Sequence, residues 1–299
     1  MAGKADSLRA KFRGGVLDTP RRIWAHPYTR DHRVRQLGRW LVWQGWQRTV
    51  RRPWTVVMHG DVRLVCHPHD MVASMALYHG LYDIEEMSFL LAWLRPGDTF
   101  VDVGANDAPY SLLATSLDGV RSVAFEPDDQ ASGRARVNAE LNGVQDRLDL
   151  VAAAVGDRDG RALLTDDHLP TSHLVEAGAP TSSGMATREV PILRLDTYDA
   201  GEGLGRVRLV KVDAEGHEVA VLRGAAAVLE RDRPALVVEV NDPVALGDWI
   251  ATACYVTVAY DWEAGRLERR ELPSRPGGNV ILVTELAAAQ ARLAAGIPR

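Results

Sequence analysis

Phe100-Val101-Asp102-Val103-Gly104-Ala105-Asn106-Asp107-Ala108-Pro109 decides how this chain reads. The apolar run with one acid near its end predicts a buried strand. Gly104 then permits a tight turn and a close backbone approach to a ligand. Pro109 suits the first turn of a following helix. The same alternation continues outward. Strands are predicted over 99–103, 120–126, 148–154, 207–213 and 235–240, with helices over 109–117, 128–142, 216–230 and 243–251. That pattern predicts an α/β fold with a doubly wound, mostly parallel sheet. Two more strands, 254–260 and 279–284, flank a charged loop over 261–275 and predict a partly antiparallel edge. A long connection over 157–194 shows only two strand-like runs, 161–165 and 188–192. A connection of that length inside a domain is usually functional.

Upstream, residues 1–22 read as flexible, 30–51 as a helix, 54–58 and 62–66 as a short hairpin, and 70–78 and 84–94 as helices. Four segments are expected. They are a basic Trp/Arg-rich extension (1–53), a hairpin and helices capping the core (54–95), a catalytic domain (96–285) and a C-terminal helix or tail (286–299).

The composition excludes several classes. With 299 residues, 46% apolar and 25% charged, the chain can bury a large core and is not disordered. No apolar run approaches the roughly 20 residues that span a bilayer. The N-terminus is basic but lacks the apolar core of a secretory signal. Cys66 and Cys254 cannot form a disulfide framework or a cysteine-rich zinc site. A cytoplasmic enzyme is expected. The net charge of −5 is split unevenly: residues 1–53 hold 13 Lys and Arg against 3 Asp, +10, which leaves −15 for the remainder.

In an open α/β sheet, ligands lie beyond the carboxyl ends of the strands. Asp102 stands near the end of the first strand, and Glu126 ends the second, 24 residues later. A carboxylate at the second tip can accept two hydrogen bonds from a ribose diol. A dinucleotide site would want three glycines in G-x-G-x-x-G. Here Gly104, Asn106 and Pro109 give one match in three. Asp102 instead suits a cofactor with an ammonium group and no phosphates, such as S-adenosylmethionine (SAM). Turn or cap roles for each acid remain open.

Several segments together carry a family resemblance: Val101-Asp-Val-Gly-Ala-Asn106, Ala124-Phe-Glu-Pro127, Ala154-Val-Gly-Asp157, Val210-Lys-Val-Asp-Ala-Glu-Gly-His-Glu218, Val221-Leu-Arg-Gly-Ala225 and Val237-Val-Glu-Val240. Tyr82-Asp-Ile-Glu-Glu86 and Arg95-Pro-Gly-Asp98 add to them. Their order and spacing resemble the motif series of the FkbM-type methyltransferases over about residues 78–284. The resemblance implies a class I SAM-methyltransferase, Rossmann-like fold of about seven strands with an N-terminal helix and hairpin extension. It also implies O-methylation of a sugar or secondary-metabolite hydroxyl. It places Asp102, Gly104, Asn106 and Glu126 in a SAM pocket, with Ala154 and Val155 beside the adenine. The chain departs from the family at Ala108, where a glycine is usual. The extra methyl narrows the turn if φ is positive there and is harmless if it is negative.

Methyl transfer to a hydroxyl needs alignment and a base. Lys211, Asp213 and Glu215 share one side if extended, and three charges there must pair with each other or with ligand. Glu239 ends the next strand and is a second candidate, with Asn241 just beyond. Thr171-Ser172-His173-Leu174 resembles a short family segment, and a histidine over the crevice is a natural base near neutral pH. Proton removal is therefore assigned to His173, and Asp213, beside Lys211, positions the acceptor or the sulfonium end of SAM. No metal ligand set is assigned. His67, His69 and Asp70 read as a solvated turn, and a divalent ion near Asp213 and Glu239 is left open. The rival readings are an NAD-type oxidoreductase and a catalytically silent SAM-fold binding protein.

The first 54 residues hold five of the eight tryptophans: Trp24, Trp40, Trp43, Trp46 and Trp54. Leu37, Trp40, Leu41 and Trp43 are expected to form a stripe that packs on the chain's own domain or on a second subunit as a homodimer. A membrane-surface contact is the less favoured reading. Nucleic acid is not expected as a partner, because the rest of the chain is acidic. The expected partner is a small hydroxylated acceptor.

Overall fold

The computed structural model describes residues 18–68, 70–165, 174–175 and 187–296. The chain divides into two units, one ending at Met87 and one beginning at Ser88.

The first unit contains the helices Asp18–Ala25, Arg33–Thr49 and Met71–His79 and an antiparallel hairpin of β1 (Trp54–His59) and β2 (Val62–Cys66). Residues 18–22, expected to be flexible, are instead helical, because Ile23 is fully buried and anchors that turn. The tryptophan stripe is centred differently from the expectation. Gln36 and Trp43, seven residues apart, are the buried positions of the long helix. Trp43 donates its indole N–H to Ser74 at 3.2 Å, and the Trp43 and Trp46 rings lie 6.1 and 5.7 Å from Trp54. Leu41 is 61% exposed. It sits two residues, about 200° around the helix, from Trp43.

The second unit is built on an eight-stranded sheet. Its strands are β3 (Thr99–Val103), β4 (Arg121–Phe125), β5 (Leu148–Val151), β10 (Val207–Val212), β11 (Ala235–Glu239), β12 (Val256–Asp261), β13 (Arg266–Arg269) and β14 (Asn279–Val283). The order is β13-β12-β14-β11-β10-β3-β4-β5. The five strands from β11 to β5 are parallel, and β12, β13 and β14 pair antiparallel. This is the α/β, doubly wound, mostly parallel sheet with an antiparallel edge that the sequence predicts. The central strands are near-continuous apolar runs because both faces are covered, and β3 is buried at all five positions. Edge strand β13 buries only Leu267.

Three details differ from the expectation. The eighth strand, β13, lies inside the charged segment 261–275, where a single inward leucine is too weak a signal to read. The predicted strand 148–154 is two strands. Ala153 N–H bonds Val151 O, the chain turns, and Ala154–Val155 (β6) joins a second sheet. That sheet has the order β6-β9-β7-β8, with β7 (Gly160–Thr165), β8 (Leu174–Val175) and β9 (Thr187–Leu193). The predicted helix 216–230 is broken at Ala225 into Glu218–Gly224 and Ala226–Asp232. The Asp196 carboxylate accepts from the amides of Ala227 and Val228 and caps the second piece. Asp196 belongs to the helix Leu195–Glu202, which periodicity does not reveal.

The chain runs β3, β4, β5 to one side and then returns to place β10 and β11 on the other side of β3. The switch point therefore falls between β3 and β10, the place where ligands bind at the carboxyl ends of open α/β sheets. No helix among the described residues is long and apolar enough to cross a membrane.

Candidate active site

At the tip of β3, Asp102 is 1% exposed. Its Oδ2 accepts a hydrogen bond from Ser111 Oγ at 2.7 Å, and Ser122 Oγ donates to Ser111 Oγ at 3.0 Å. Its Oδ1 is buried without a hydrogen-bond partner among the described residues. Burial pushes the carboxyl up from its ordinary range, and the neighbouring Lys211 pulls it back. Lys211 is the register partner of Asp102 on β10. It is 5% exposed, pairs with Asp213 at 3.0 Å, and lies 5.0 Å from the centre of the Tyr110 ring.

The turn after β3 is left-handed at Gly104 (φ +75°), Asn106 (φ +51°) and Ala108 (φ +63°). At Gly104 the chain approaches itself closely. A methyl group there would lie 1.9 Å from the Asp213 carbonyl oxygen. Asp213 N–H in turn bonds Val103 O at 3.0 Å, so the two loops that part at the switch point are joined by their backbones. At Ala108 the positive φ is the strained case for a residue with a Cβ, and the methyl is fully buried.

At the tip of β4, Glu126 Oε2 accepts the Asn106 amide and Oε1 the Asp128 amide, each at 2.8 Å. Burial outweighs those two bonds and pushes the carboxyl up to about 7. Asp128 caps the helix Asp129–Asn142 by accepting from Ala131 N–H. Arg188 of β9 holds Asp128 and Asp129 at 2.7 Å each. Ala154 and Val155 are both buried. Val155 packs in the main core with Val103 and Phe125, and Ala154 packs in the small sheet with Leu164 and Ile192.

A second group forms at the tips of β10 and β11. Carboxylate oxygens of Asp213, Glu215 and Glu239 lie within 4.8 Å of one another, a donor set with the chemistry to hold a cation. Burial raises the Glu239 carboxyl well above its ordinary range, and the charges of Asp213 and Glu215 raise it further. Asn241 Nδ2 donates to Glu239 at 2.5 Å and to Glu218 at 2.9 Å, and Glu218 also accepts the Gly216 amide.

The structure thus brings Asp102, Gly104, Asn106 and Glu126 around one turn, and Lys211, Asp213 and Glu239 around the adjacent tips. Sequence reasoning missed Ser111, Ser122 and Glu218. The only signal for Glu218 is its place at the end of the Asp213-Ala-Glu-Gly-His-Glu run. His173 and His69 lie outside the described residues. Asp70 is a helix cap, accepting from Ala73 N–H, as a turn residue should.

The family described as "Methyltransferase FkbM domain" matches residues 102–254, just over half of the chain, and this span holds every site residue named above. This chain belongs to the FkbM methyltransferase family. Its sheet is the Rossmann-like class I methyltransferase fold. This FkbM-family chain is 30% identical over 192 residues to the 31-O-demethyl-FK506 methyltransferase FkbM of Streptomyces tacrolimicus, covering 53% of this chain and 71% of that one. It is 28% identical over 155 residues to the 2-O-methyltransferase NoeI of Sinorhizobium fredii, covering 46% of this chain and 62% of NoeI. Among solved structures, a methyltransferase FkbM from Methylobacillus flagellatus is 17% identical and aligns with a TM-score of 0.44, over 71% of this chain and 52% of that one.

Proposed function

We propose that this chain is a SAM-dependent O-methyltransferase acting on a hydroxyl of a sugar or secondary metabolite. One observation carries the reading. Asp102 keeps a buried carboxylate oxygen without a partner, one strand away from Glu126. A buried acceptor left unanswered costs about 1–3 kcal/mol, which a bound cation or donor would recover. The ammonium group of SAM suits Asp102. Its ribose hydroxyls suit Glu126, whose two oxygens hold one amide each and keep lone pairs to spare. When bound, SAM supplies an electrophilic methyl group on sulfur.

The chain's own residues supply the rest. Lys211 fixes Asp213 as a hydrogen-bond acceptor that orients the attacking hydroxyl. Proton removal is assigned to His173, and Asp213 or Glu239, at the adjacent strand tips, inherits the role if His173 does not carry it. A second reading, a silent SAM-binding relative, is favoured by the strained Ala108.

Calorimetry with SAM and with NAD, followed by an acceptor screen with mass detection of methyl gain, tests the proposal. SAM binding with turnover is expected. NAD binding alone would overturn the proposal, and SAM binding with no turnover on any hydroxylated acceptor would favour the silent relative. His173→Ala should lower turnover by about 10²-fold with SAM affinity intact. If turnover survives, Asp213→Asn or Glu239→Gln carries the loss instead.

A further inference from the structure

The outer face of the helix Arg33–Thr49 has no part in this chemistry, yet its composition is unusual. Six of the eight exposed large apolar side chains among the described residues fall between Trp24 and Val57. Val34, Leu41 and Val42 are 77%, 61% and 55% exposed. They stand at i, i+7 and i+8, one stripe of the helix. Arg35 adjoins that stripe one turn-pair before Val42, and Arg48 follows it towards the C-terminal end. The Arg33 guanidinium lies 5.2 Å over the ring of Trp24, itself 50% exposed, which brings that indole to the start of the same helix. On the open face of the hairpin, exposed Val57 is the cross-strand partner of Arg63. Residues 18–53 hold nine arginines and two aspartates.

We propose that this N-terminal unit docks on the surface of an anionic lipid bilayer. Val34, Leu41 and Val42 enter the boundary between headgroups and acyl chains, and the arginines face the lipid charges. A helix with an apolar stripe among basic residues lies in that plane, and an indole favours the same depth. The contact is peripheral, since no described helix can span a membrane. Charge complementarity selects this occupant. A second copy would set Arg35 and Arg48 against the same positive face. A nucleic acid would answer the arginines but leave Val34, Leu41 and Val42 in water. An anionic bilayer answers both.

The test is co-sedimentation of the full chain with vesicles of phosphatidylcholine alone and of phosphatidylcholine mixed with phosphatidylglycerol. Binding to the mixed vesicles only, weakened by salt, is expected. Leu41→Glu with Val42→Glu should lower that partitioning about tenfold or more. Both side chains are exposed, so melting temperature and SAM affinity should not change. Absent binding, equal binding to both vesicles, or an unaffected double variant would overturn the proposal. So would a dimer in sedimentation velocity, or retention on duplex DNA, that the same substitutions abolish without any vesicle binding.

Discussion

Gly104 and Ala108 share a left-handed backbone but not its consequences. At Gly104 a methyl group meets the Asp213 carbonyl, so Gly104→Ala forces the two loops apart. It is expected to cost about 3 kcal/mol or more and to abolish SAM binding, read by thermal melting and calorimetry. At Ala108 the strain of roughly 1–2 kcal/mol is offset by the buried methyl, worth about 0.8 kcal/mol, and by glycine's larger unfolded freedom. Ala108→Gly should therefore stay within about 1 kcal/mol of the parent and not weaken SAM binding. A clear drop in either would mean that the methyl packs specifically. Glu126 sets a pH dependence. Its carboxyl titrates at about 7 when folded, above its ordinary range, so its contribution to stability is present below about 4.5 and lost as pH rises through 7. SAM affinity should run the other way, tightening as pH rises through 7, because the ionised carboxylate is the better acceptor for the ribose. Glu126→Gln should flatten that profile in calorimetry, and Glu126→Ala should weaken binding by about tenfold or more. Asp102 and Glu126 were legible because acids at the tips of apolar strands are rare and positioned. Ser111 and Ser122, which orient Asp102, were not, since a serine within a helix or strand carries no pattern of its own.

The element that holds Glu126 is less obvious than the residue. Arg188 on β9 ties the small sheet to the start of the helix Asp129–Asn142 through Asp128, Asp129 and the Pro127 carbonyl. Asp128 is also the residue whose amide binds Glu126. Arg188→Ala should thus weaken SAM binding several-fold, about 1 kcal/mol, although Arg188 touches no part of the proposed pocket. Unchanged affinity would mean that the helix cap holds Asp128 alone. Strand existence was readable wherever both faces are covered, as in β3 and β10. It failed at β13, where one leucine points inward, and at the helix break near Ala225, where a distant carboxylate on Asp196 sets the new start. Such tertiary capping leaves no local trace.

At the scale of the molecule, the sequence divided by charge before it divided by shape. The parallel order and the switch point between β3 and β10 follow from alternation and crossover rules, so the switch point could be located in advance. The packing of the N-terminal unit could not, because its tryptophans occur at several helical phases and only Trp43 is fully buried. Deleting residues 1–53 removes Trp43 from Ser74 and Trp54. The truncated protein should be insoluble or should melt at a lower temperature. A soluble product with unchanged melting would show that this segment contributes nothing to the fold.

The two amides on Glu126 have a kinetic consequence. The acid is aimed by Asn106 and Asp128 in the chain on its own, so an arriving ligand has no side-chain search to wait for. Association should be limited by encounter, with the observed rate in stopped flow rising linearly with SAM concentration and reaching no plateau.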